Sequence, residues 1–266
     1  MRCLNFLVVT AIIFGATLTS CDKNENSVED GVYPTTIYRL SEETLSRKRN
    51  EFAQRNPYVS STLNQFGFCA LGEPRSVAAP PAGSFTEEEA IAAVKEFVVR
   101  NQEYTGVSNP YDFDFRVIQR DELTNGWLFR ARNQIMNNIE IEYTEFIFHV
   151  RNRTVTYCHG NHFSKVYVPK KFIFDIEQAK SQLLGREITR WGWSGPYTVG
   201  PVTAEHLQES SEKLIILPLS DTVEYSDAEK IELRVAWKIY VEALHHIFEV
   251  DVMTGEIIRE IPTIIH

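Results

Sequence analysis

The sequence has too little positive charge for a nucleic-acid-binding protein. It contains 27 Lys and Arg residues against 36 Asp and Glu residues, which gives a formal net charge of −9 at pH 7. The basic residues also form no stripe along the chain. Proteins that bind phosphate backbones do so through clustered Lys and Arg side chains. We therefore expect no nucleic-acid partner.

The chain also lacks a hydrophobic run long enough to cross a bilayer. Its most apolar stretch, Leu4–Phe14, is shorter than the roughly 20 residues of a spanning helix. Arg2 precedes this stretch, and a short apolar run behind a basic residue is typical of an export signal. We therefore expect the protein to leave the cytoplasm.

The residues that follow resemble a bacterial lipobox. Leu18, Thr19 and Ser20 precede Cys21, and in a lipobox the cysteine becomes the acylated first residue of the mature protein. This predicts a signal peptide over residues 1–20, lipid attachment at Cys21 and a location in the cell envelope, anchored to a bacterial membrane. The alternative is a simple secretory signal with an incidental cysteine.

Cysteine is scarce, with four in all, and two of them have no assigned role. Cys3 leaves with the signal peptide and Cys21 takes the lipid, so Cys69 and Cys158 remain. Exported proteins often join such leftover cysteines in a disulfide. The sequence does not give the separation of their Cα atoms, so a Cys69–Cys158 disulfide and two free thiols both stay open.

Helix signals and strand signals alternate along the rest of the chain. Helices are predicted over residues 40–55, with Ser41 as the N-cap, from Thr86 onward, with a capping box, and after Asp175. Apolar residues alternate over 139–143 and again over 146–150 on the opposite parity, which predicts an antiparallel meander with a bulge or bend at 144–145. Asn152 favours a hairpin tip after the second run.

This order predicts an α+β fold built from two modules, each a helix packed on an antiparallel sheet. We divide the chain into a signal peptide (1–20), a tether and N-terminal extension with a short helix (21–82), a first module (83–170) and a second module (171–266). Leu71–Ser84, with three prolines, is the predicted linker before the first module.

Each predicted module contains one motif of ordered polar and apolar residues. The first motif comprises Gln134, Asn137-Asn138, Ile139–Tyr143, Phe146–Val150 and His159-Gly160-Asn161, and the second comprises Val235–Val241 and Phe248–Ile258. The first resembles the propeptides of thermolysin- and fungalysin-type metallopeptidases, and the second resembles the closing hairpin of the PepSY domain in the same propeptides. The resemblance implies two cystatin-like or PepSY-type modules over roughly residues 83–262.

The same resemblance implies a function in binding. In that family the propeptide assists folding of the peptidase and blocks its active site until it is cleaved. The zinc motif of these peptidases, His-Glu-x-x-His, does not occur in this sequence, so we expect no enzyme activity and no cofactor. We expect a protein partner. The first interpretation is that this protein inhibits a peptidase in trans or assists its folding. The alternative is a structural or accessory subunit of an envelope complex that reuses the fold.

Three groups of side chains could carry chemistry, and each has a simpler interpretation. Cys158, His159 and His162, with Cys69 or His149, have metal-like spacing, but no second short-spaced Cys/His pair accompanies them and we expect no metal. The pair of histidines at 245–246 is expected in a solvated turn. The carboxylates at 140 and 142 are expected on the solvated face of an amphipathic strand.

A segment rich in tryptophan is the candidate binding loop. Trp191, Trp193 and Tyr197 lie in a stretch with Gly and Pro that predicts a loop. Exposed together, the three rings would form a platform for a peptide or a glycan. The alternative is that the loop folds over a sheet and buries them.

Overall fold

The computed structural model describes residues 32–70, 77, 80, 83–111, 113–123, 125–192, 195–222 and 225–263. The predicted signal peptide, the lipid-attachment residue Cys21, most of the predicted linker and Trp193 lie outside the described residues, as does the side chain of Trp191. No helix within the described part of the chain has the length and apolarity needed to span a membrane.

The helices begin at the caps that the sequence predicts. Ser41 accepts a hydrogen bond from the N–H of Thr44, and Thr86 and Asp175 each form a capping box. Such caps satisfy backbone donors that have no partner within the helix, so they fix where each helix starts. In chain order the helices are α1 (Glu42–Arg55), α2 (Glu87–Arg100), α3 (Gln102–Thr105), α4 (Ile176–Ser181) and α5 (Ala204–Gln208).

The strands of the described residues form a seven-stranded sheet, a four-stranded sheet and two two-stranded hairpins. In chain order they are β1 (Thr35–Tyr38), β2 (Thr62–Leu63), β3 (Cys69–Ala70), β4 (Phe115–Asp121), β5 (Gly126–Ala131), β6 (Ile135–Met136), β7 (Ile139–Ile141), β8 (Ile147–Arg151), β9 (Thr154–His159), β10 (Glu187–Gly192), β11 (Gly195–Pro201), β12 (Ser211–Ser220), β13 (Lys230–Val241), β14 (His246–Asp251) and β15 (Ile257–Pro262).

The four-stranded sheet carries α2 on one face. Its order is β4-β5-β8-β9, and all its pairs are antiparallel. Phe97 of α2 meets Phe148 of β8 edge to face, with ring centroids 6.3 Å apart. Leu45 and Phe52 of α1 belong to the same buried cluster. The N-terminal extension therefore adds to the core of the first predicted module.

The seven-stranded sheet is organised around β13. On one side β13 pairs with β12 over ten residue pairs, and on the other side it pairs with β1 through its first half and with β14 through its second. The order β15-β14-β13-β12-β7-β6 completes the sheet. Ala179 of α4, Leu183 of the turn after it and Leu207 of α5 belong to the core that this sheet shares with the two helices. The fold is α+β, as predicted.

The prediction of one antiparallel meander is wrong for its first strand. Ile139–Ile141 is a strand, but it pairs in parallel with β12 of the seven-stranded sheet and not with β8. The chain crosses from one sheet to the other at the predicted bend. Tyr143 has φ of 61°, and the buried Thr144 hydroxyl donates to Ile141 O and accepts from Gln134 N–H at 2.6 and 2.7 Å. The change of parity in the sequence therefore marks a change of sheet.

The predicted hairpin tip at Asn152 is confirmed, and the turn after β14 is formed in a similarly local way. Asn152 and Arg153 have φ of 41° and 57° at the tip between β8 and β9, as a tight hairpin requires. Asp251 accepts hydrogen bonds from the N–H groups of Met253 and Thr254, and Gly255 has φ of 70°. Both turns are set by residues within a few positions of one another.

The tryptophan-rich segment is a hairpin, whereas the sequence predicts a loop. Residues 187–192 pair with residues 195–201 as β10 and β11, with one register shift between Ile188 and Thr189. The backbone of Trp191 pairs with Pro196, and the side chain of Tyr197 is half exposed on β11. Alternation in this segment is masked by its Gly and Pro residues, which explains the wrong prediction.

Candidate functional site

A cavity of about 780 Å³ opens where the N-terminal extension, the four-stranded sheet and the seven-stranded sheet meet. We call it the junction cavity. Its walls come from the β2–β3 hairpin, the end of β9, the bend after β7, and strands β12 and β13. Among the residues that line it are Arg49, Leu63, Asn64, Gln65, Cys69, Tyr143, Glu145, His159, Asn161, Phe163, Pro218 and Ile231.

One wall is the β2–β3 hairpin, which is built by local turn chemistry. The Asn64 side-chain oxygen accepts hydrogen bonds from the N–H groups of Phe66 and Phe68, both at 3.0 Å. Gly67 takes φ of 82° in the same turn. The backbone carbonyl of Leu63, next to this turn, accepts a hydrogen bond from the Arg49 Nε–H at 2.9 Å. Helix α1 is thereby attached to this wall.

Backbone hydrogen bonds fix this hairpin to β9. Ser60 N–H donates to Thr156 O at 2.9 Å, Gly160 N–H donates to Cys69 O at 3.2 Å, and Cys158 N–H donates to the Ser61 hydroxyl at 2.9 Å. The extension therefore continues the outer edge of the four-stranded sheet. An otherwise open sheet edge is covered by this contact.

The opposite rim carries Tyr143, whose side chain is 61% exposed. Its hydroxyl accepts a hydrogen bond from Arg259 Nη2 at 2.7 Å, and the guanidinium lies 5.0 Å from its ring centroid. Arg259 is itself held by two hydrogen bonds to the wholly buried Glu249, at 2.7 and 3.1 Å. A large aromatic ring is thus presented to solvent at the rim on a rigid support.

The rest of the lining combines polar groups with apolar side chains. Glu145 is ion-paired with Arg116 at 3.2 Å, and His159 is half-buried, so that burial lowers the pKa of its imidazole below the ordinary value. Leu63, Phe163 and Ile231 supply apolar surface. Pockets that bind ligands commonly combine such an apolar lining with a few placed hydrogen-bonding groups.

The structure brings Cys69 and Cys158 together. Both are buried free thiols in one hydrophobic cluster, and Cys69 O accepts a hydrogen bond from Gly160 N–H, two residues beyond Cys158. Burial and the neighbouring Cys69 thiol raise the pKa of the Cys158 thiol well above its usual range. Cys69 lines the junction cavity, with Cys158 behind it on β9.

The metal-like spacing of Cys158, His159 and His162 does not gather these side chains into one site. His159 lines the junction cavity, whereas the His162 ring packs against Phe113 and Phe146 on the other side of the chain. His149 points to neither place, and its ring lies tilted against that of Tyr157, with centroids 5.1 Å apart. Within the described ranges no three His, Cys, Asp or Glu side chains cluster as metal ligands.

The prediction that Glu140 and Glu142 lie on a solvated face is wrong for Glu142, which is buried, whereas Glu140 remains partly exposed. Glu140 accepts from the Asn133 amide at 2.7 Å and forms an ion pair with Lys213. The buried Glu142 is paired with Lys238. Because β7 joins the seven-stranded sheet, its polar residues face the charged residues of the neighbouring strands. The sequence pattern of β7 alone does not show which strands those are.

The prediction of a solvated turn at the histidine pair is also wrong for one of the two. His245 ends a short 3-10 turn with φ of 43°, but His246 is the first residue of β14 and is only 3% exposed. Its ring lies against Phe248, and Nε2 lies 3.9 Å from the carboxylate of Glu260. Burial lowers the pKa of His246.

Of the residues that line the junction cavity, sequence reasoning singled out Cys69 and His159 as candidate ligands but did not predict the cavity itself. The positions of Arg49, Tyr143 and Arg259 depend on contacts between segments far apart in the chain, for which a single sequence gives no signal. The turn at 64–67, in which Gly67 follows Asn64 by three residues, is a local signal that could have predicted the β2–β3 hairpin. Tyr197 of the predicted binding loop does not line the cavity.

Comparisons with known proteins give little further information. No protein-family model and no curated protein matches the sequence. Among solved structures, the Bacillus megaterium YpeB C-terminal domain is similar, with 8% sequence identity over 85% of this chain and 99% of that chain. The TM-score is 0.30, which is too low to support an inference about fold or function.

Proposed function

We propose that this protein is a non-catalytic binding protein of the bacterial cell envelope, which holds an extended segment of a protein partner in the junction cavity. The cavity is the observation that carries the proposal. Its volume, about 780 Å³, falls within the range of specific binding pockets, and its lining combines apolar side chains with amide groups.

The chemistry of the lining suits a peptide. Asn161 and Gln65 carry amide groups that match the donors and acceptors of a peptide backbone. The exposed ring of Tyr143 adds a large apolar contact of the kind that dominates binding at protein interfaces. Since Arg259 holds this ring in place, little conformational entropy is lost when a partner covers it.

The location and the kind of partner come from the sequence. The lipobox-like segment places Cys21 as the lipid-bearing residue of an exported protein, so the partner is sought in the envelope. The resemblance to metallopeptidase propeptides favours a metallopeptidase, which the protein would inhibit or help to fold in trans. Binding of a segment in an extended conformation is a recurring way of recognising peptides.

The experiment begins with recovery of the partner from detergent-solubilised native membranes, with the tagged full chain as bait and identification by mass spectrometry. The affinity of the purified partner is then measured for three forms of the protein: wild type, Tyr143→Ala and Tyr111→Ala. Tyr111 is a matched control because it is also exposed and lies 5.3 Å from a cation, Lys95, but it does not line the junction cavity.

We expect Tyr143→Ala to weaken binding about tenfold or more and Tyr111→Ala to leave it unchanged. A recovered metallopeptidase whose activity falls when the wild-type chain is added would support the inhibitor role. Binding of a different envelope protein that depends on Tyr143 would keep the cavity as the site and identify the chain as an accessory subunit. Equal affinity of all three forms would exclude the junction cavity as the binding site.

A further inference from the structure

We infer that Cys69 and Cys158 are joined by a disulfide bond in the exported protein. Both side chains lie in the same buried cluster, and Cys69 O accepts a hydrogen bond from Gly160 N–H, two residues beyond Cys158, so β3 and β9 are in contact at the two cysteines. This inference and the proposed function both assume that the protein is exported. The test of the disulfide needs no binding partner, so each proposal can fail without the other.

The backbones around the pair are held in place independently of the thiols. Cys158 N–H donates to the hydroxyl of Ser61, and Cys69 O accepts from Gly160 N–H. Ser61 and Cys69 both belong to the segment that forms one wall of the junction cavity. A disulfide needs its two backbones at a fixed short distance, and these bonds keep the strands next to each other before any S–S bond forms.

Both thiols are shielded in the folded protein. Cys69 and Cys158 are 2% and 0% exposed, so solvent has little access to either sulfur atom, even though Cys69 lines the junction cavity. Burial also raises the pKa of the Cys158 thiol, which disfavours the reactive thiolate once the protein has folded. The oxidation therefore takes place while the chain is folding, when both sulfur atoms are still accessible.

The reaction is an exchange with a protein disulfide of the export compartment. One cysteine, as the thiolate, attacks the oxidant and forms a mixed disulfide, and the other then displaces the oxidant. The two S–H bonds of this chain are broken and one S–S bond forms. The two electrons and two protons pass to the oxidant, which leaves as a dithiol.

The bond would tie the N-terminal extension to the four-stranded sheet. It closes the loop of residues 69–158, which includes α2 and most of the four-stranded sheet. Closing a long loop removes conformational freedom from the unfolded chain and so stabilises the folded one. It also fixes the wall of the junction cavity to which Cys69 belongs.

The test is peptide mapping of the full chain, purified from the envelope of the producing cells without reductant and alkylated before digestion. Trypsin cuts after Arg55, Arg75, Arg153 and Lys165, so Cys69 lies in peptide 56–75 and Cys158 in peptide 154–165. We expect these two peptides as one linked species that separates on reduction. Recovery of both peptides in alkylated form without reduction, or of either one linked to another cysteine, would overturn the inference.

A second measurement follows stability. We expect reductant to lower the Tm of the wild-type chain by roughly 5–15 °C. The double variant Cys69→Ser with Cys158→Ser should melt near the reduced wild type, with no response to reductant. A wild-type Tm that is the same with and without reductant would contradict a stabilising cross-link between the extension and the sheet.

Discussion

The side chains of Asn56 and Asn101 form a reciprocal pair that joins the ends of two helices. The Asn56 amide donates to Asn101 Oδ1 at 2.8 Å, and the Asn101 amide donates to Asn56 Oδ1 at 3.1 Å. Each also donates to the last turn of its own helix, to Phe52 O at 2.9 Å and to Phe97 O at 2.8 Å. One side-chain pair therefore satisfies carbonyls at the C-termini of both α1 and α2.

We expect either single substitution, Asn56→Ala or Asn101→Ala, to lower the free energy of unfolding by roughly 2–4 kcal/mol. Both residues are buried, so removing one amide leaves the other without its partner and out of contact with water. The double variant should lose less than the sum of the single losses, since it leaves no orphaned amide. Urea unfolding of all four forms measures this coupling, and additive losses would show that the two amides act separately.

Local signals in the sequence predicted the three longest helices and the hairpin tip between β8 and β9. Thr86 and Glu89, three residues apart, form the capping box of α2, and Asn152 forms the hairpin tip between β8 and β9. In each case the residues that determine the structure are close neighbours in the chain. These predictions succeeded because the residues that determine each cap or turn lie within a few positions of the backbone that they shape.

The pairing of distant segments could not be predicted in the same way. Alternation identifies Ile139–Ile141 as a strand, but nothing in these three residues specifies β12 as its neighbour. The burial of Glu249 depends on Arg259, ten residues away on the next strand, and on the strands that flank both. The junction cavity is formed by such long-range contacts, so its lining is visible only in the folded chain.

The stability of the protein should depend on pH through His162. Burial among aromatic rings lowers the pKa of His162 from 6.5 to about 4, so it stays neutral in the folded state while it is protonated in the unfolded chain below about pH 6.5. The folded state therefore loses stability as the pH falls from about 6.5 toward 4. This one group accounts for roughly 3 kcal/mol over that range.

The variant His162→Leu isolates this contribution. Burial lowers the pKa of the histidines at 149, 159 and 246 as well, so they also weaken the fold as the pH falls below about 6.5, equally in both proteins. Unfolding free energies measured from pH 8 to pH 4 should therefore fall more steeply for the wild type than for the variant. Parallel curves that differ only by a constant offset would show that His162 does not titrate differently in the two states.

The backbone of His162 also lies against Gly106, and this contact makes glycine necessary there. Gly106 has φ of 69° at the end of α3, and a Cβ atom added to it would lie 1.8 Å from His162 O. Gly185 is a matched control, because its φ is 77° but an added Cβ would meet no atom within 4 Å. Alanine is strained in the left-handed conformation at both positions, but only Gly106→Ala also introduces a steric clash.

We therefore expect Gly185→Ala to cost about 1 kcal/mol of unfolding free energy and Gly106→Ala roughly 3 kcal/mol or more. The larger loss arises because His162 N–H donates to Thr105 O at 2.8 Å, so the strand end and the helix end cannot separate without breaking that bond. Urea midpoints of the two variants, compared at pH 7, measure the difference. If the two glycines cost the same, the close approach of α3 to residue 162 does not exist in solution, and the segment that follows β9 must take another path past the helix.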